Sequence, residues 1–242
     1  MSPPQNSDNT SDNGDNPKYR FYGRRKGRTL TGDRSKALEQ GLEKFEIKLE
    51  NPHPSSLVAK KIFKKELNYK QFWLEIGFGN GEHLIAQAKK HTDIGFIGCE
   101  PFINGVSNLM LEANKQEISN IRVWPNDARL LMDTLCDQSL NRIFLLHPDP
   151  WHKTRHYKRR FIQKETLDTF SRLLKPGAEL RIATDDQGLC EWMLEKCWNH
   201  PHFEWQAQTA EDWRHRPADW PETRYGQKQL AGIPVYLIFK KI

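Results

Sequence analysis

From Gln71 onward the sequence alternates between strand-like and helix-like segments, and this alternation constrains the fold more than any other feature of the chain. The strand-like segments are rich in β-branched and aromatic residues and lie near residues 72–76, 95–99, 121–124, 142–146 and 179–183. Helix-like segments lie near residues 82–91, 103–116, 129–135, 162–174 and 189–198. A repeated strand–helix–strand pattern requires crossover connections, so it predicts an α/β fold with a mostly parallel sheet.

Two later strand-like runs, near residues 203–206 and 235–240, have no comparable helix between them. We expect them to add an antiparallel pair at one edge of the sheet, which brings the number of strands to seven. In an open α/β sheet, ligands bind beyond the carboxyl ends of the strands. The residues that directly follow each strand are therefore the first candidates for a functional site.

The composition is that of a globular protein without membrane spans. The chain has 242 residues and a formal net charge of +6, from 37 Lys and Arg against 31 Asp and Glu. It contains no run of about 18 apolar residues, and its N-terminus lacks the apolar segment of a secretory signal. The four cysteines, at positions 99, 136, 190 and 197, form no CxxC pair and no zinc-type spacing. They predict free thiols in a reducing cytoplasm and no metal site.

The charge divides the chain into three regions, which we expect to be a disordered acidic tail (residues 1–17), a basic arm and extension (18–50) and an α/β domain (51–242). Residues 18–28 hold six Lys or Arg residues, with Tyr19, Phe21 and Tyr22 among them. Arginines mixed with aromatic residues suit phosphate pairing and base stacking, so this arm is a candidate RNA contact. A solvated arm without a specific target fits the segment equally well.

The loop after the first strand is rich in glycine, with Gly77, Gly79 and Gly81 in alternate positions. Glycines here allow a sharp turn and a close approach to a ligand. The dinucleotide-binding fingerprint has its last glycine where this chain has Glu82, and a carboxylate there would repel a pyrophosphate. The loop therefore favours a ligand without phosphates and disfavours a nicotinamide oxidoreductase.

Acidic and amide side chains follow the next two strands. Glu100 ends the second strand and can accept hydrogen bonds from both ribose hydroxyls, while Asn126 and Asp127 end the third and can read an adenine. Each acid alone could equally be a helix N-cap or a solvated loop end. Together they predict a nucleoside pocket for a ligand that is not strongly anionic. S-adenosylmethionine fits this description, and Glu75 could help to hold its cationic part.

The segment after the fourth strand, His147-Pro-Asp-Pro-Trp-His-Lys153, is the most specific in the chain. The prolines on either side of Asp149 are expected to hold His147 and Asp149 in extended geometry. A basic run follows, and it would attract a polyanion towards the proposed site. Asp185, at the end of the fifth strand, and residues 223–228 are further candidates to line the pocket.

These motifs resemble the bacterial tRNA (guanine-N(7)-)-methyltransferase family, over nearly all of the chain from about Thr29. The matching segments are residues 28–31, 74–79, 98–100, 126–128, 148–153, 155–160 and 183–185. The resemblance implies a Rossmann-like class I methyltransferase fold, in which a seven-stranded, mostly parallel sheet carries helices on both faces. It implies S-adenosylmethionine as cofactor, tRNA as partner with no obligatory protein partner, and methylation of guanine N7 at position 46 of the variable loop.

The resemblance also implies roles for individual residues. The cofactor would be bound by Glu75, Gly77, Gly79, Glu100, Asn126, Asp127 and Asp149, and Asp149 would be the catalytic residue. The substrate contacts would be Lys153, Asp185, Thr223, Arg224 and Tyr225, and the RNA contacts Arg155, His156, Tyr157, Lys158, Arg159 and Arg160. The family usually has Glu where this chain has Gly226, so a carboxylate contact from that loop is in doubt unless Glu222 replaces it.

Two other functions are compatible with parts of the pattern. Methyltransferases for exocyclic base amines carry an Asp or Asn before two prolines at the same strand end, whereas here the acid comes one position later, between Pro148 and Pro150. A non-catalytic RNA-binding protein that retained the fold would keep the basic segments but would not bind S-adenosylmethionine. For the methyltransferase, N7 has a lone pair and no proton, so we expect Asp149 to position the reactants and not to act as an obligatory base.

Overall fold

A computed structural model describes residues 19–49, 53–63, 68–228 and 230–242. The predicted acidic tail, residues 1–17, lies outside the described residues. The described part contains one seven-stranded sheet, formed by β1 (Gln71–Ile76), β2 (Ile94–Cys99), β3 (Ile121–Trp124), β4 (Leu140–Leu146), β5 (Leu174–Thr184), β6 (Phe203–Trp205) and β7 (Val235–Lys241). The strand order is β3-β2-β1-β4-β5-β7-β6.

Eight α-helices accompany the sheet in the described residues. They are α1 (Asp33–Phe45), α2 (Glu82–Lys90), α3 (Ile103–Lys115), α4 (Ala128–Thr134), α5 (Lys164–Leu173), α6 (Gln187–Trp198), α7 (Glu211–Arg214) and α8 (Arg224–Lys228). Two short 3-10 segments, Ala59–Ile62 and Thr154–Arg159, complete the regular structure there. None of the helices in the described ranges is long and apolar enough to cross a membrane.

The strands pair as the alternation predicts. β1 lies parallel to β2 and β4, β2 is parallel to β3, and β4 is parallel to β5. β7 is antiparallel to both β5 and β6, which confirms the antiparallel pair predicted at one edge. β5 begins at Leu174, five residues before its predicted start, because α5 ends at Leu173 and the chain enters the sheet directly.

Each face of the sheet is covered by helices. Since side chains alternate along a strand, Leu74 and Ile76 of β1 pack with α4, α5 and α6, whereas Trp73 packs with α1, α2 and α3. Glu75 shares the face of Trp73 and therefore points towards α2. Helix α1 belongs to the N-terminal extension and packs closely on α3, where a side chain at Gly41 would clash with Met110.

The strand order creates a crevice at the site predicted to bind ligands. From β1 the chain builds β2 and β3 on one side, and then returns to place β4 on the other. Such a switch point leaves a crevice beyond the carboxyl ends of the two central strands. The loops after β1 and β4, which carry the glycines and Asp149, therefore meet at one place.

Candidate active site

A cavity of about 590 Å³ lies at this crevice, which is the size range of pockets for small ligands. Its floor is formed by the end of β1 and the glycine loop, including Glu75, Gly77 and Gly79. Its opposite wall is formed by the C-terminal segment, between Arg214 and Tyr236. The cavity therefore joins the predicted cofactor loop to the predicted substrate loop.

The glycine loop turns in a way that only glycine allows easily. Gly77, Gly79 and Gly81 have φ values of 71°, 55° and 82°, in the left-handed region. Around Gly77 and Gly79 a side chain would meet no atom within 4 Å, so both residues border open space. A side chain at Gly105 of α3 would instead lie 2.1 Å from the carbonyl oxygen of Gly79, so the helix and the loop approach very closely.

Glu100 holds this loop in place. Its Oε2 accepts a hydrogen bond from the backbone N–H of Gly79, and its Oε1 accepts one from Phe102, both at 2.8 Å. Burial raises the pKa of the Glu100 carboxyl, the two N–H donors oppose that shift, and the nearby carboxylates of Asp149 and Glu75 add to it. Glu100 therefore ties the glycine loop to the end of β2, close to the carboxylates of Glu75 and Asp149.

The three carboxylates differ in their surroundings. Glu75 is buried and its Oε2 lies 2.7 Å from Nδ1 of His83, whereas Asp149 is exposed. Hydrogen bonds thus fix Glu75 and Glu100, whereas Asp149 lies exposed in the loop after β4. A site with this charge attracts a cationic ligand and repels phosphate groups.

Asp127 and Asn126 are already engaged by other residues. Asp127 is the N-cap of α4 and its carboxylate also binds the side chain of Arg129, with an Nε–Oδ1 distance of 3.0 Å. Asn126 Oδ1 accepts a hydrogen bond from Arg25, which belongs to the basic arm. The helix-cap interpretation of Asp127 is therefore correct, and a contact with adenine stays a prediction.

The backbone around Asp149 differs from the prediction in one respect. His147 is not extended but has a φ of 49°, and Trp151 has a φ of 48°. The N–H of His147 donates to the carbonyl of Ala183 at 2.7 Å, which holds the residue in this turn. Non-glycine residues in this region are strained, and such strain is concentrated at functional sites. Two strained residues thus flank the Pro-Asp-Pro segment.

Asp185 links the end of β5 to the C-terminal loop. Its Oδ2 accepts a hydrogen bond from the N–H of Ala231 at 3.1 Å, and its Oδ1 lies 3.4 Å from Nδ1 of His147. Burial lowers the pKa of His147, and Asp185 opposes this shift. The carboxylate of Asp185 is largely buried, so its predicted contact with substrate stays a prediction.

The basic run after Lys153 is not uniform. Lys153, Arg155 and Lys158 are exposed, while His156, Tyr157 and Arg159 are half-buried. The guanidinium of Arg159 lies over the rings of Tyr22 and Trp151, at 4.4 and 5.0 Å from their centres. The basic arm therefore packs directly against the segment that carries Asp149.

Arg160 is buried, which disagrees with its predicted role as an RNA contact. It is only 4% exposed, its Nε donates to the carbonyl of Pro150 at 2.8 Å, and its guanidinium lies 3.7 Å from the centre of the Tyr157 ring. A side chain held in this way presents no free charge to a phosphate. We therefore withdraw Arg160 from the predicted RNA contacts and assign it to holding the Pro-Asp-Pro segment in place.

Known proteins are similar to this chain over most of its length. A family model described as "Putative methyltransferase" matches residues 69–233. A tRNA (guanine-N(7)-)-methyltransferase of Rhodospirillum rubrum is 47% identical over 225 residues, which cover 92% of this chain and 88% of the relative. One from Chelativorans sp. is 42% identical, over 92% of this chain and 95% of the relative. The chain belongs to the tRNA (guanine-N(7)-)-methyltransferase family.

Solved structures support the fold but not the substrate. The aminoglycoside resistance methyltransferase NpmB1 superposes with a TM-score of 0.50 at 15% identity, over 77% of this chain and 95% of that one. The 16S rRNA methyltransferase KamB superposes with the same score at 11% identity, over 78% and 99%. The class I methyltransferase fold and the family predicted from the sequence are thus confirmed, and with them an enzyme that uses S-adenosylmethionine.

The C-terminal motif of the methyltransferase family lies on the cavity wall. Thr223 Oγ1 accepts a hydrogen bond from the N–H of Gly226, and the N–H of Arg224 donates to Oε2 of Glu82 at 2.7 Å. The Arg224 side chain also pairs with Glu82, the residue that replaces the last glycine of the dinucleotide fingerprint. Glu82 therefore fastens the predicted substrate motif to α2. The side chain of Tyr225 lies outside the described residues.

Sequence reasoning missed the aromatic residues behind the cavity. Trp220 is buried and lies against His83, Phe144 and Tyr236, with ring centres 5.3 to 6.0 Å apart. His83 in turn binds Glu75. The only sequence signal for His83 is a polar residue on the apolar face of α2, a position where a buried polar group needs a partner.

Proposed function

We propose that this enzyme transfers a methyl group from S-adenosylmethionine to N7 of guanine 46 in the variable loop of tRNA. The observation that carries the proposal is a cavity lined by Glu75 and by the glycine loop that Glu100 holds, next to an exposed basic surface. The carboxylates suit a cationic methyl donor, and the basic surface suits a polyanionic acceptor. Membership of the tRNA (guanine-N(7)-)-methyltransferase family supports S-adenosylmethionine as the donor and tRNA as the acceptor.

The residues present fit the methyl donor, whose sulfonium supplies the methyl group. Gly77 and Gly79 border open space and leave room for a ligand beside the backbone. We assign Glu100 to the ribose hydroxyls, since a carboxylate that accepts two N–H bonds still has lone pairs free. Glu75 would hold the cationic amino-acid end, and Asn126 and Asp127 would face the adenine.

Asp149 would act at the acceptor base. Guanine N7 carries a lone pair and no proton, so the reaction needs alignment with the sulfonium more than it needs a base. Orientation can supply up to roughly 7–11 kcal/mol of the barrier reduction. Asp149, exposed in the loop after β4 between two strained residues, can position guanine and stabilise the positive charge that forms on it. Lys153, Asp185 and Thr223 are the neighbouring substrate contacts that we propose.

The RNA surface would combine both basic segments. Tyr22 of the arm lies edge-on to Trp151, with ring centres 6.2 Å apart, and Arg159 covers both rings. The arm continues along the cofactor side of the crevice, where the carbonyl of Arg25 accepts a hydrogen bond from Ile103 and Asn104 binds Gly27. A nucleic acid that reaches Asp149 would therefore meet basic residues on both sides.

Replacing Arg155 and Lys158 together with alanine is expected to raise the dissociation constant for tRNA and to flatten its salt dependence. Each lost phosphate contact should reduce the slope of log K against log salt by about 1. Both side chains are exposed, so the fold should be unaffected. The measurement is a binding titration at several salt concentrations.

The matched control removes the same charge elsewhere. Lys89 and Lys90 are exposed at the C-terminal end of α2, away from the crevice, and their double alanine variant should bind tRNA as the unaltered enzyme does. Equal salt slopes for the two double variants would contradict the proposed RNA surface.

The proposed reaction is tested by methyl transfer to bulk tRNA. The enzyme is incubated with tRNA and S-adenosylmethionine that carries a labelled methyl group, and the digested nucleosides are separated and identified by mass spectrometry. We expect the label in 7-methylguanosine. Label in a nucleoside methylated on an exocyclic amine would refute the proposal, as would failure of the enzyme to bind S-adenosylmethionine in calorimetry.

A further inference from the structure

We propose that His83 is a positioning residue that orients the carboxylate of Glu75 towards the cofactor and leaves its negative charge intact. The inference rests on the proposed role of Glu75 in binding the cationic end of S-adenosylmethionine. It concerns a residue that none of the sequence motifs includes. Three observations carry it: the hydrogen bond to Glu75, the partner on the other ring nitrogen, and the packing of the imidazole ring.

The hydrogen bond to Glu75 is short and buried. Nδ1 of His83 lies 2.7 Å from Oε2 of Glu75, and each residue is only 3% exposed. The two residues face each other because β1 directs Glu75 towards α2, where His83 lies in the first turn. A hydrogen bond to a buried carboxylate fixes its orientation, and Glu75 is one of the residues that line the cavity.

The partner of the other ring nitrogen indicates a neutral imidazole. Nε2 of His83 lies 3.3 Å from the amide nitrogen of Gln87, which also donates to the carbonyl of Asp219 at 2.9 Å. An amide nitrogen only donates, so Nε2 must accept, and the proton therefore resides on Nδ1 facing Glu75. A neutral donor orients the carboxylate without cancelling its charge. A lysine or arginine at this position would cancel that charge.

Aromatic packing holds the imidazole ring in this orientation. Its centre lies 4.6 Å from that of Phe144 and 6.0 Å from that of Trp220. Trp220 belongs to the segment that carries Asp219, and Asp219 is fastened to the sheet by Arg181 at 2.7 Å. The ring is thus wedged between a central strand and the segment that leads into the substrate motif, and His83 has little freedom to turn.

Two substitutions of His83 separate hydrogen bonding from packing. His83→Phe keeps a ring of similar shape and removes the donor, and we expect it to raise the dissociation constant for S-adenosylmethionine by about tenfold or more. His83→Asn places an amide N–H near the position of Nδ1, and we expect it to restore binding to within about threefold of the unaltered enzyme. Calorimetry measures both, and thermal melting confirms that the variants are folded. The same loss in both variants, or no loss in the folded phenylalanine variant, would overturn the inference.

Combination with Glu75→Gln tests whether His83 acts through Glu75. If it does, Glu75→Gln alone raises the dissociation constant, and adding His83→Phe to it raises the constant by less than about twofold more. If the double variant instead shows the product of the two single-variant increases in the dissociation constant, His83 acts by packing alone and the inference is overturned. If Glu75→Gln leaves cofactor binding unchanged, the proposed role of Glu75 fails. If Glu75→Gln weakens binding and His83→Phe does not, the role of Glu75 stands and only the role of His83 fails.

Discussion

Replacement of Asp149 with alanine is expected to lower the single-turnover rate of methyl transfer by at least about 100-fold at saturating tRNA and cofactor. A misplacement of about 1 Å between reacting groups can cost a factor of this size, and Asp149 is an exposed carboxylate in the loop after β4 that can orient the guanine. Because tRNA is saturating, a loss of this kind reports on the reaction and not on binding. Rapid quenching with labelled cofactor measures it.

Two further variants test whether the position or the charge of Asp149 matters and control for the loss of an exposed acid. Asp149→Asn keeps the shape and one acceptor oxygen but not the charge, so it should retain more activity than the alanine variant if positioning dominates. Asp93→Ala is the matched control, because Asp93 is exposed just before β2, at the opposite end of the sheet. Near-normal chemistry in Asp149→Ala would contradict the assignment of this residue.

Replacement of Glu100 with alanine should weaken the binding of S-adenosylmethionine by about 100-fold. The change leaves the N–H groups of Gly79 and Phe102 without their acceptor, and a hydrogen bond to a charged group contributes about 1.5–3 kcal/mol. The glycine loop then loses the bond that fixes it, in addition to the contact with the cofactor itself. A loss of about 3 kcal/mol corresponds to about 100-fold in the dissociation constant, which calorimetry can measure.

The pH dependence of cofactor binding offers a second measurement on Glu100. Its pKa is raised, chiefly by burial, above the ordinary glutamate value of about 4.3. Binding requires the ionised form, so affinity should be full above the pKa of Glu100 and should fall as the pH drops through it, beginning at a higher pH than for an ordinary glutamate. Glu43→Ala, which removes an exposed acid of α1, should change neither the affinity for S-adenosylmethionine nor its pH dependence. Unaltered cofactor binding in folded Glu100→Ala would refute the role of Glu100.

The parts of the site that depend on local sequence could be predicted. The strand–helix alternation determines the sheet, and the carboxyl ends of its strands determine where Gly77, Glu100 and Asp149 lie. The glycines have the left-handed conformations that the motif requires. These predictions succeed because each depends on residues that are neighbours in the chain or on a general rule of α/β topology.

The parts of the site that depend on residues distant in the sequence could not be predicted. Arg160 looks like one more cation in a basic run, but the carbonyl of Pro150 and the ring of Trp192 enclose it. His147 precedes a proline, which predicts extended geometry, yet the neighbouring strand β5 holds it in a turn through Ala183. The contact of Arg25 with Asn126 joins residues 101 positions apart, and no local sequence pattern predicts it.

The central claim is that the carboxylate cluster at this crevice directs methyl transfer to N7 of guanine 46. It is tested most directly by mapping the methylated position in one tRNA species with the unaltered enzyme and with Asp149→Ala, using nuclease digestion and mass spectrometry. We predict 7-methylguanosine at position 46 with the unaltered enzyme, a rate reduced by at least about 100-fold with the alanine variant, and no methylation when that guanine is replaced by adenine. Methylation of another atom or position, or an equal rate with Asp149→Ala, would contradict the account.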